Sequence, residues 1–176
     1  AHGDELRFVD VRSFGEMWWV PPDVELTVGI PGLARLGPEP FSEAFNAPYL
    51  KRQLKNSSRP IKTALLDQAL VAGVGNIYAD ESLFSAGIPP LTPAGRLTLA
   101  QLERLRSSLV EVLTTSIGAG GTTFSDFRDL EGVNGNYGGQ AWVYRRGGEP
   151  CRRCGTIIRR DKLSGRSTHW CPTCQG

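Results

Sequence analysis

The chain has 176 residues, of which 40% are hydrophobic and 22% are charged, and these values are ordinary for one medium or two small globular domains. We expect neither a membrane span nor a signal peptide, because no apolar run approaches roughly 20 residues and the first residues lack a basic region followed by an apolar one. The net charge is only +2, but residues 144–176 hold eight basic and two acidic side chains. A segment this basic suits a phosphate-rich partner, although it also occurs as a surface that maintains solubility.

The first predicted element is a short strand at residues 6–10. Position 1 is alanine and the strand begins almost at once, so we interpret the chain as a piece of a longer protein. Strands that have lost most of their sheet leave apolar side chains exposed, which favours association of chains. The side chains concerned are Phe8, Phe14, Met17, Trp18 and Trp19.

Residues 42–117 are predicted to be mainly helical. Ser42 is a candidate N-cap for the first helix, and a break follows at residues 56–60. The last helix of this region carries apolar side chains at helical spacing, which predicts that they belong to the core. They are Leu102, Leu105, Leu109, Val112 or Leu113, and Ile117.

A glycine turn separates the second predicted helix, residues 61–70, from the third, residues 77–86. Gly73 and Gly75 permit a tight turn and the close approach of another backbone. Asn76 stands at the N-terminal end of the third helix, where free N–H groups and the positive end of the helix dipole favour a phosphate. The alternative is an ordinary helical hairpin in which Asn76 only caps the helix.

The segment at residues 120–139 is rich in glycine, aspartate and asparagine, and we predict a long loop there. Loops of that length are usually functional or disordered. A short strand is predicted at residues 140–145, where it leads into the C-terminal module.

All four cysteines lie within the last 26 residues, as two C-x2-C pairs separated by sixteen residues. A hairpin between the pairs can direct four thiolates at one tetrahedral ion, and four thiolates leave no open position for a water molecule. We therefore predict one structural Zn2+ rather than a catalytic one. Two disulfides in a secreted domain are the alternative, which the clustering and the expected lack of a signal peptide disfavour. The predicted ligands are Cys151, Cys154, Cys171 and Cys174.

Two other residues of this module, a histidine and an arginine, lie in or beside the predicted hairpin. His169 is predicted to be a hairpin or surface residue, because the cysteines already fill the metal shell. Arg166 lies in the predicted turn of the hairpin, where its guanidinium group can point outward and contact a phosphate with two hydrogen bonds.

Five segments taken together resemble one known family. They are residues 10–15, Lys62 with residues 73–84, residues 120–123, Val143 with Tyr144, and the cysteine module through Gln175. In this order, and over nearly the whole chain, they resemble the formamidopyrimidine-DNA glycosylase family of bacterial base-excision repair enzymes. Residues 120–123 and 165–169 resemble this branch more than the related endonuclease VIII branch.

The resemblance implies a fold that is mainly α with small β parts. Residues 1–40 would be the remnant strands and linker of an N-terminal β-sandwich, residues 41–143 a helix–two-turns–helix DNA-binding domain with the damaged-base loop, and residues 144–176 a four-cysteine zinc-finger β-hairpin. The resemblance also implies a cytoplasmic, nucleoid-associated bacterial protein whose parent is a monomer and whose partner is damaged double-stranded DNA.

The same resemblance implies roles for individual residues. Members of this family extrude a damaged base, typically an oxidised purine, from the duplex. Lys62, Asn76 and Arg166 would hold the phosphates that flank it. Arg12 would pair with the orphaned base and Phe14 would wedge the stack, although a surface arginine and a core phenylalanine are the simpler interpretation. The complete implied set of DNA-binding residues is Arg12, Phe14, Lys62, Gly75, Asn76, Thr122, Thr123 and Arg166.

The sequence departs from the family pattern in two ways. The family attacks the sugar with an N-terminal proline amine, assisted by a neighbouring glutamate and a lysine of the sheet domain, whereas this chain begins with Ala1. We therefore predict a catalytically silent, DNA-gripping part of a bifunctional glycosylase and abasic-site lyase. Ser125 replaces a usually basic residue and Val11 a usual proline, and both differences bear on base specificity.

Two other functions remain open at the level of the sequence. One is a non-enzymatic zinc module that recognises lesions or distorted DNA without cutting. The other is a zinc-ribbon adaptor between proteins, for which no salt-dependent DNA binding is expected.

Overall fold

The computed structural model describes residues 6–8, 10, 15–122 and 135–176. The chain divides into two compact units, residues 1–35 and residues 36–176. None of the helices in the described part of the chain is both long enough and apolar enough to span a membrane. The predictions for Arg12, Phe14, Thr123 and the segment 123–134 fall outside the described residues.

The first unit has little regular structure. It contains the short helix α1, Leu26–Gly29, and one turn of 3-10 helix at Leu33–Arg35. The strand predicted at residues 6–10 is absent from residues 6–8 and 10, because no second strand in the described part of this unit supplies the ladder hydrogen bonds. Large apolar side chains are exposed here as predicted, among them Phe8, Met17, Trp18 and Trp19.

The second unit is a helical body followed by a hairpin. Its helices are α2, Ala47–Gln53; α3, Ile61–Leu65; α4, Asn76–Ala86; α5, Leu99–Gly118; and α6, Tyr137–Gln140. The hairpin joins β1, Arg159–Leu163, to β2, Arg166–Trp170, in an antiparallel register that pairs Arg160 with His169 and Lys162 with Ser167. The prediction of a mainly helical chain with a C-terminal hairpin is therefore confirmed.

The caps of these helices explain where the structure departs from the predicted boundaries. Asn46, rather than Ser42, caps α2: its side chain accepts a hydrogen bond from the N–H of Tyr49 at 2.9 Å. The hydroxyl of Ser42 donates instead to the carbonyl of Glu39. Helix α5 begins with a capping box between Thr98 and Gln101, and its side chains satisfy the free N–H groups of the first turn.

Helix α3 ends five residues earlier than predicted, and a ten-residue turn leads from it to α4. The side chain of Gln68 holds this turn together, because it accepts from the N–H of Gly73 and donates to the carbonyl of Val74. Gly73 has a φ of +78°, a conformation that glycine adopts without strain. Helix α4 then starts at Asn76, with Gly75 as its N-cap.

The core of the helical body is apolar and continuous. The stripe predicted on the last long helix is largely confirmed, since Leu102, Leu105, Leu109 and Val112 are buried. Ile117 is 66% exposed, contrary to the prediction, because it lies in the last turn of α5, where the described residues leave it uncovered. The stripe packs against apolar residues of the earlier helices: Leu50, Leu54, Ile61, Leu65 and Leu83.

The segment predicted as a strand at residues 140–145 is not one. Helix α6 ends at Gln140, and the backbone then runs through bends and turns. The N–H groups of Trp142, Val143 and Tyr144 donate to the carboxylate of Glu81 rather than to a neighbouring strand. The buried carboxylate of Glu81 therefore accepts the hydrogen bonds that a neighbouring strand would have accepted.

Candidate nucleic-acid interface

The four cysteines form a compact metal site at the base of the hairpin. Their sulfur atoms all lie within 4.8 Å of one another, and none of the four is in a disulfide. The Sγ atoms are 3.9 Å apart for Cys151 and Cys174 and 3.4 Å apart for Cys154 and Cys171. Zn–S bonds of about 2.3 Å in a tetrahedron require sulfur atoms about 3.8 Å apart, so the donor set fits zinc. The cysteines are thus positioned to bind one zinc ion, as predicted.

The four thiols differ in their surroundings: burial raises the pKa of Cys171 and of Cys174, whereas hydrogen bonds lower that of Cys154. The side chain and backbone of Thr156 lower the pKa of Cys154 to about 6, which favours the deprotonated form that a metal binds. Thr156 itself bonds to Thr173 across the two C-x2-C turns at 2.8 Å. Gln175 is fully buried and joins this module to the helices, because it accepts from the N–H of Cys171 and donates to the carbonyl of Ile88.

Glu81 of α4 fixes the segment that enters the zinc module. Its fully buried carboxylate accepts three backbone hydrogen bonds of 2.8 to 2.9 Å, from Trp142, Val143 and Tyr144. Burial raises the pKa of Glu81, and the three N–H groups oppose that rise. The convergent donors favour the carboxylate and make Glu81 an anchor for residues 142–144.

Lys62 and Asp80 form a buried ion pair between the helices and the hairpin. The Nζ atom of Lys62 lies 2.7 Å from Oδ1 of Asp80, and the side chains are 1% and 0% exposed. Lys62 also donates to the carbonyl of Ser167 at 2.6 Å and to the hydroxyl of Thr168 at 2.9 Å. Burial lowers the pKa of Lys62, while the charge and hydrogen bond of Asp80 raise it.

His169 completes this buried group. Its backbone N–H donates to Oδ2 of Asp80 at 2.9 Å, and its ring Nδ1 lies 3.2 Å from the same oxygen. His169 is 3% exposed, so the expectation of a hairpin or surface residue was right about the hairpin and wrong about the surface. The ring is buried because the carboxylate of Asp80 gives its polar atoms a partner in the interior.

Asn76 lies at the start of α4, directly beside the hairpin. Its amide Nδ2 donates to the carbonyl of Ser167 at 3.0 Å, and its Oδ1 is buried with no hydrogen-bond partner among the described residues. The first N–H groups of a helix have no partner within it, so the helix presents donors and a positive dipole end at this point. Ser167 thus receives hydrogen bonds from both Asn76 and Lys62.

Arg166 is exposed and immediately precedes Ser167 in β2. The turn before it contains Ser164 and Gly165, both with positive φ, and the hydroxyl of Ser164 lies 3.3 Å from that of Thr63 in α3. The guanidinium of Arg166 is close enough to contribute to the lowered pKa of Lys62. The fold therefore brings Lys62, Asn76 and Arg166 together around Ser167, with the ammonium of Lys62 enclosed by protein atoms.

Thr122 occupies a different part of the unit. Its hydroxyl lies 3.0 Å from the hydroxyl of Tyr78, which also lies 2.8 Å from the hydroxyl of Ser116. Thr122 forms an isolated antiparallel bridge with Asn136. Thr122 and Asn136 both belong to the segment 120–139 that was predicted to be a loop, and residues 137–139 of that segment lie in α6 instead.

Sequence reasoning missed Asp80, Glu81 and Gln175. A signal existed for the first two, because adjacent acidic residues in the middle of a short helix, between Ala79 and Ser82, are unusual unless partners satisfy them. Nothing in the sequence indicates which basic or N–H groups those partners are.

The fold and the site define a class. A helix N-terminus that follows a glycine turn stands beside an arginine-rich hairpin held by a four-cysteine site, which is a helical domain joined to a zinc finger, with donors and positive charge that suit a phosphate. The family model described as the formamidopyrimidine-DNA glycosylase H2TH domain matches residues 36–128. A second model, described as a zinc finger found in FPG and IleRS, matches residues 148–176.

Individual known proteins of the same family are also similar to this chain. The chain is 98% identical over its whole length to 63% of a formamidopyrimidine-DNA glycosylase of Parasynechococcus marenigrum, strain WH8102. It is 69% identical over 172 residues, or 98% of its length, to 59% of the protein of that name from Prochlorococcus marinus, strain MIT 9313. The chain thus spans about three-fifths of the length of these curated relatives.

Solved structures are similar as well. The MutM (Fpg) protein of Thermus thermophilus superposes with a TM-score of 0.80 and 51% identity, over 85% of this chain and 57% of that one. The Lactococcus lactis Fpg in complex with DNA that contains an abasic site gives 0.77 and 38%, over 85% and 55%. This chain belongs to the formamidopyrimidine-DNA glycosylase family.

Proposed function

We propose that this chain binds damaged duplex DNA, as the DNA-binding part of a DNA glycosylase and abasic-site lyase that acts on oxidised purines. The observation that carries the proposal is the meeting of the α4 N-terminus and the Arg166 turn at Ser167, where donors from two elements face one region. One family member, the Lactococcus lactis Fpg, is described in two structures as a complex with DNA, one with an abasic site and one with a Fapy-dG lesion.

Within this proposal the phosphate contacts come from exposed groups and the buried groups support them. The guanidinium of Arg166 and the N–H groups at Gly75 and Asn76 bind the phosphates directly. Lys62 donates a hydrogen bond to the carbonyl of Ser167 from the interior of the protein. The negative charge of Asp80 partly offsets the positive charge of Lys62. Thr122 positions the segment that meets the extruded base, to which Thr123 belongs, and Arg12 and Phe14 act on the opposite base and the stack.

The proposed domain limits are residues 1–40, 41–143 and 144–176, for a sheet remnant with linker, the helical domain and the zinc finger. The exposed apolar side chains of the first unit would let isolated chains associate, although the parent acts as a monomer on the bacterial nucleoid.

Binding is tested by fluorescence anisotropy with a duplex that contains an abasic-site analogue and with its undamaged counterpart, at two salt concentrations. We expect tighter binding to the damaged duplex and an affinity that falls steeply with salt. Arg166→Ala should weaken binding to both duplexes, on the order of tenfold, since phosphate contacts carry no sequence information. A chain that binds neither duplex at low salt would contradict the proposal and favour a protein adaptor.

Catalysis is tested separately by borohydride trapping on a duplex that contains 8-oxoguanine. The resemblance assigns the nucleophile to a proline amine that none of these 176 residues matches, and the chain covers only 63% of its relative, so we expect no covalent adduct with this polypeptide. An adduct with this polypeptide would show that another amine performs the reaction.

A further inference from the structure

A second positively charged region lies beside the hairpin, at a cleft that Arg166 does not line. A cleft of about 380 Å³ opens there between the entry to the zinc module and the strands. It is lined by Tyr144, Arg145, Gly147, Arg160, Ser167 and His169. Arg145 and Arg160 are both exposed, and the described residues that line the cleft include no carboxylate. Two guanidinium groups at one cleft give it a field that favours an anion.

The backbone of Arg145 is in an unfavourable conformation. Its φ is +61°, in the left-handed region that glycine and asparagine adopt more readily than arginine. Strain of this kind persists only where the surroundings impose it, and it concentrates at sites of function. A long cationic side chain at a position suited to glycine therefore points to a role for the guanidinium group.

Contacts on both sides of Arg145 impose that conformation. The N–H of Tyr144 is held by the carboxylate of Glu81 at 2.8 Å. The guanidinium of Arg146 donates to the carbonyls of Trp142 and Pro150, both at 2.8 Å. The residues before and after Arg145 are thus fixed, and Arg145 completes the turn between them.

Gly147 brings this turn against the hairpin. A Cβ atom at Gly147 would lie only 2.7 Å from the Cβ of Arg160, so no larger residue fits there without displacing the strand. The missing side chain lets the turn approach β1 directly, and Arg145 and Arg160 then line one cleft.

The charged surface continues from this cleft toward the region proposed to bind the first phosphate. An adjoining cleft is lined by Arg160, Asp161, Lys162, Gly165 and Ser167, and the two share Arg160 and Ser167. The carboxylate of Asp161 accepts a hydrogen bond from the indole N–H of Trp170 at 2.7 Å. Ser167, which the two clefts share, is also the residue whose carbonyl Asn76 and Lys62 hold.

We propose that Arg145, together with Arg160, binds a second backbone phosphate of the nucleic acid. The ligand is a phosphodiester group, which guanidinium groups recognise through paired hydrogen bonds. This proposal depends on the proposed function, since it assigns a further contact to the same duplex and adds to that of Arg166.

The test replaces Arg145 with glycine in the whole zinc-loaded chain. Arg145→Gly removes the charge and suits the left-handed backbone, so the thermal midpoint should stay constant or rise. Affinity for the abasic-site duplex should fall on the order of tenfold at low salt, and the slope of log K against log salt should decrease by about 0.9. Arg145→Asn, also compatible with this backbone and also neutral, should give the same loss if the glycine variant is poorly folded.

A matched variant separates this contact from the effect of net charge. Arg104 is exposed on α5 and lines neither cleft, so Arg104→Gln removes one positive charge and should change affinity less than about twofold. If Arg145→Gly binds as tightly as Arg104→Gln, the second phosphate contact is refuted, even where Arg166→Ala still weakens binding. If the unaltered chain shows no salt-dependent binding, the proposed function itself fails.

Discussion

The helical core and the junction with the zinc finger are held together by different forces. In the core, leucines such as Leu50, Leu102 and Leu105 are fully or almost fully buried among other apolar side chains. At the junction the apolar cluster is small, and consists of Phe84, Val143, Cys151, Ile158 and Cys171. Charged and amide side chains cross the rest of that boundary, including Lys62, Asn76, Asp80, Glu81 and Gln175.

This difference has a consequence for function. Apolar contacts are non-directional, and a core tolerates repacking as long as its volume is kept. Hydrogen bonds and ion pairs have defined lengths and angles, so they fix the register of one element against another. The junction therefore sets the position of the Arg166 turn relative to the α4 N-terminus, and the core provides the free energy that keeps the helices folded.

Removal of zinc should have the largest effect and should divide the molecule at this junction. The finger has too small a core to fold alone, and zinc binding contributes about 10–16 kcal/mol to comparable small modules. Chelation should abolish the near-ultraviolet circular dichroism of Trp170 and Trp142 and lower DNA affinity at least about 100-fold, because the hairpin that carries Arg166 loses its fixed position. The helical signal in the far ultraviolet should remain largely unchanged.

The control for zinc removal is addition of zinc to the chelated chain, which should restore both the aromatic signal and DNA binding. Loss of the helical signal at the same chelator concentration would contradict the comparison. It would mean that the helical core requires the junction in order to fold.

The second-largest effect is expected when the buried ion pair of Lys62 and Asp80 is broken. Asp80→Asn leaves the ammonium of Lys62 without its counter-charge, among neutral acceptors such as Ser167 and Thr168, and should cost about 3–5 kcal/mol of unfolding free energy. The double variant with Lys62→Met should recover most of that loss, because the neutral amide then lies beside an apolar side chain rather than a buried charge. Urea denaturation of the zinc-loaded chain measures both values.

DNA affinity then distinguishes stability from positioning. If the pair serves only stability, the double variant should bind DNA as well as the unaltered chain. If the pair also fixes the hairpin, the double variant should be stable and yet bind more weakly, because Ser167 has lost one of its two anchors. A double variant no more stable than Asp80→Asn alone would show that the cost does not arise from an unpaired Lys62.

The two regions also differ in how far the sequence predicted them. The stripe from Leu102 to Val112 follows from helical periodicity, and the metal site follows from the spacing of the cysteines, because both patterns are local. The junction is not local: Glu81 meets residues 142–144, and Lys62 meets residues 167 and 168. No periodicity marks such contacts, which is why the segment after Gln140 was wrongly predicted as a strand.

The smallest expected effect on stability comes from a variant of the helical core alone. Thr98→Ala removes the hydroxyl that accepts from the N–H of Gln101 at 3.2 Å, and it should cost about 1 kcal/mol of unfolding free energy. Thr98→Ser keeps the hydroxyl and should lie within about 0.5 kcal/mol of the unaltered chain. Denaturant midpoints at constant zinc give both numbers.

The value of this variant lies in what should stay the same. Thr98 bonds locally at the start of α5, so the hairpin and its buried polar contacts are intact in the folded variant. DNA affinity, zinc affinity and the near-ultraviolet signal should therefore match those of the unaltered chain, whereas Asp80→Asn acts at the junction itself. A fall in DNA affinity for folded Thr98→Ala would show that the helical core also positions the interface, and would remove the distinction between a region that supplies stability and one that supplies geometry.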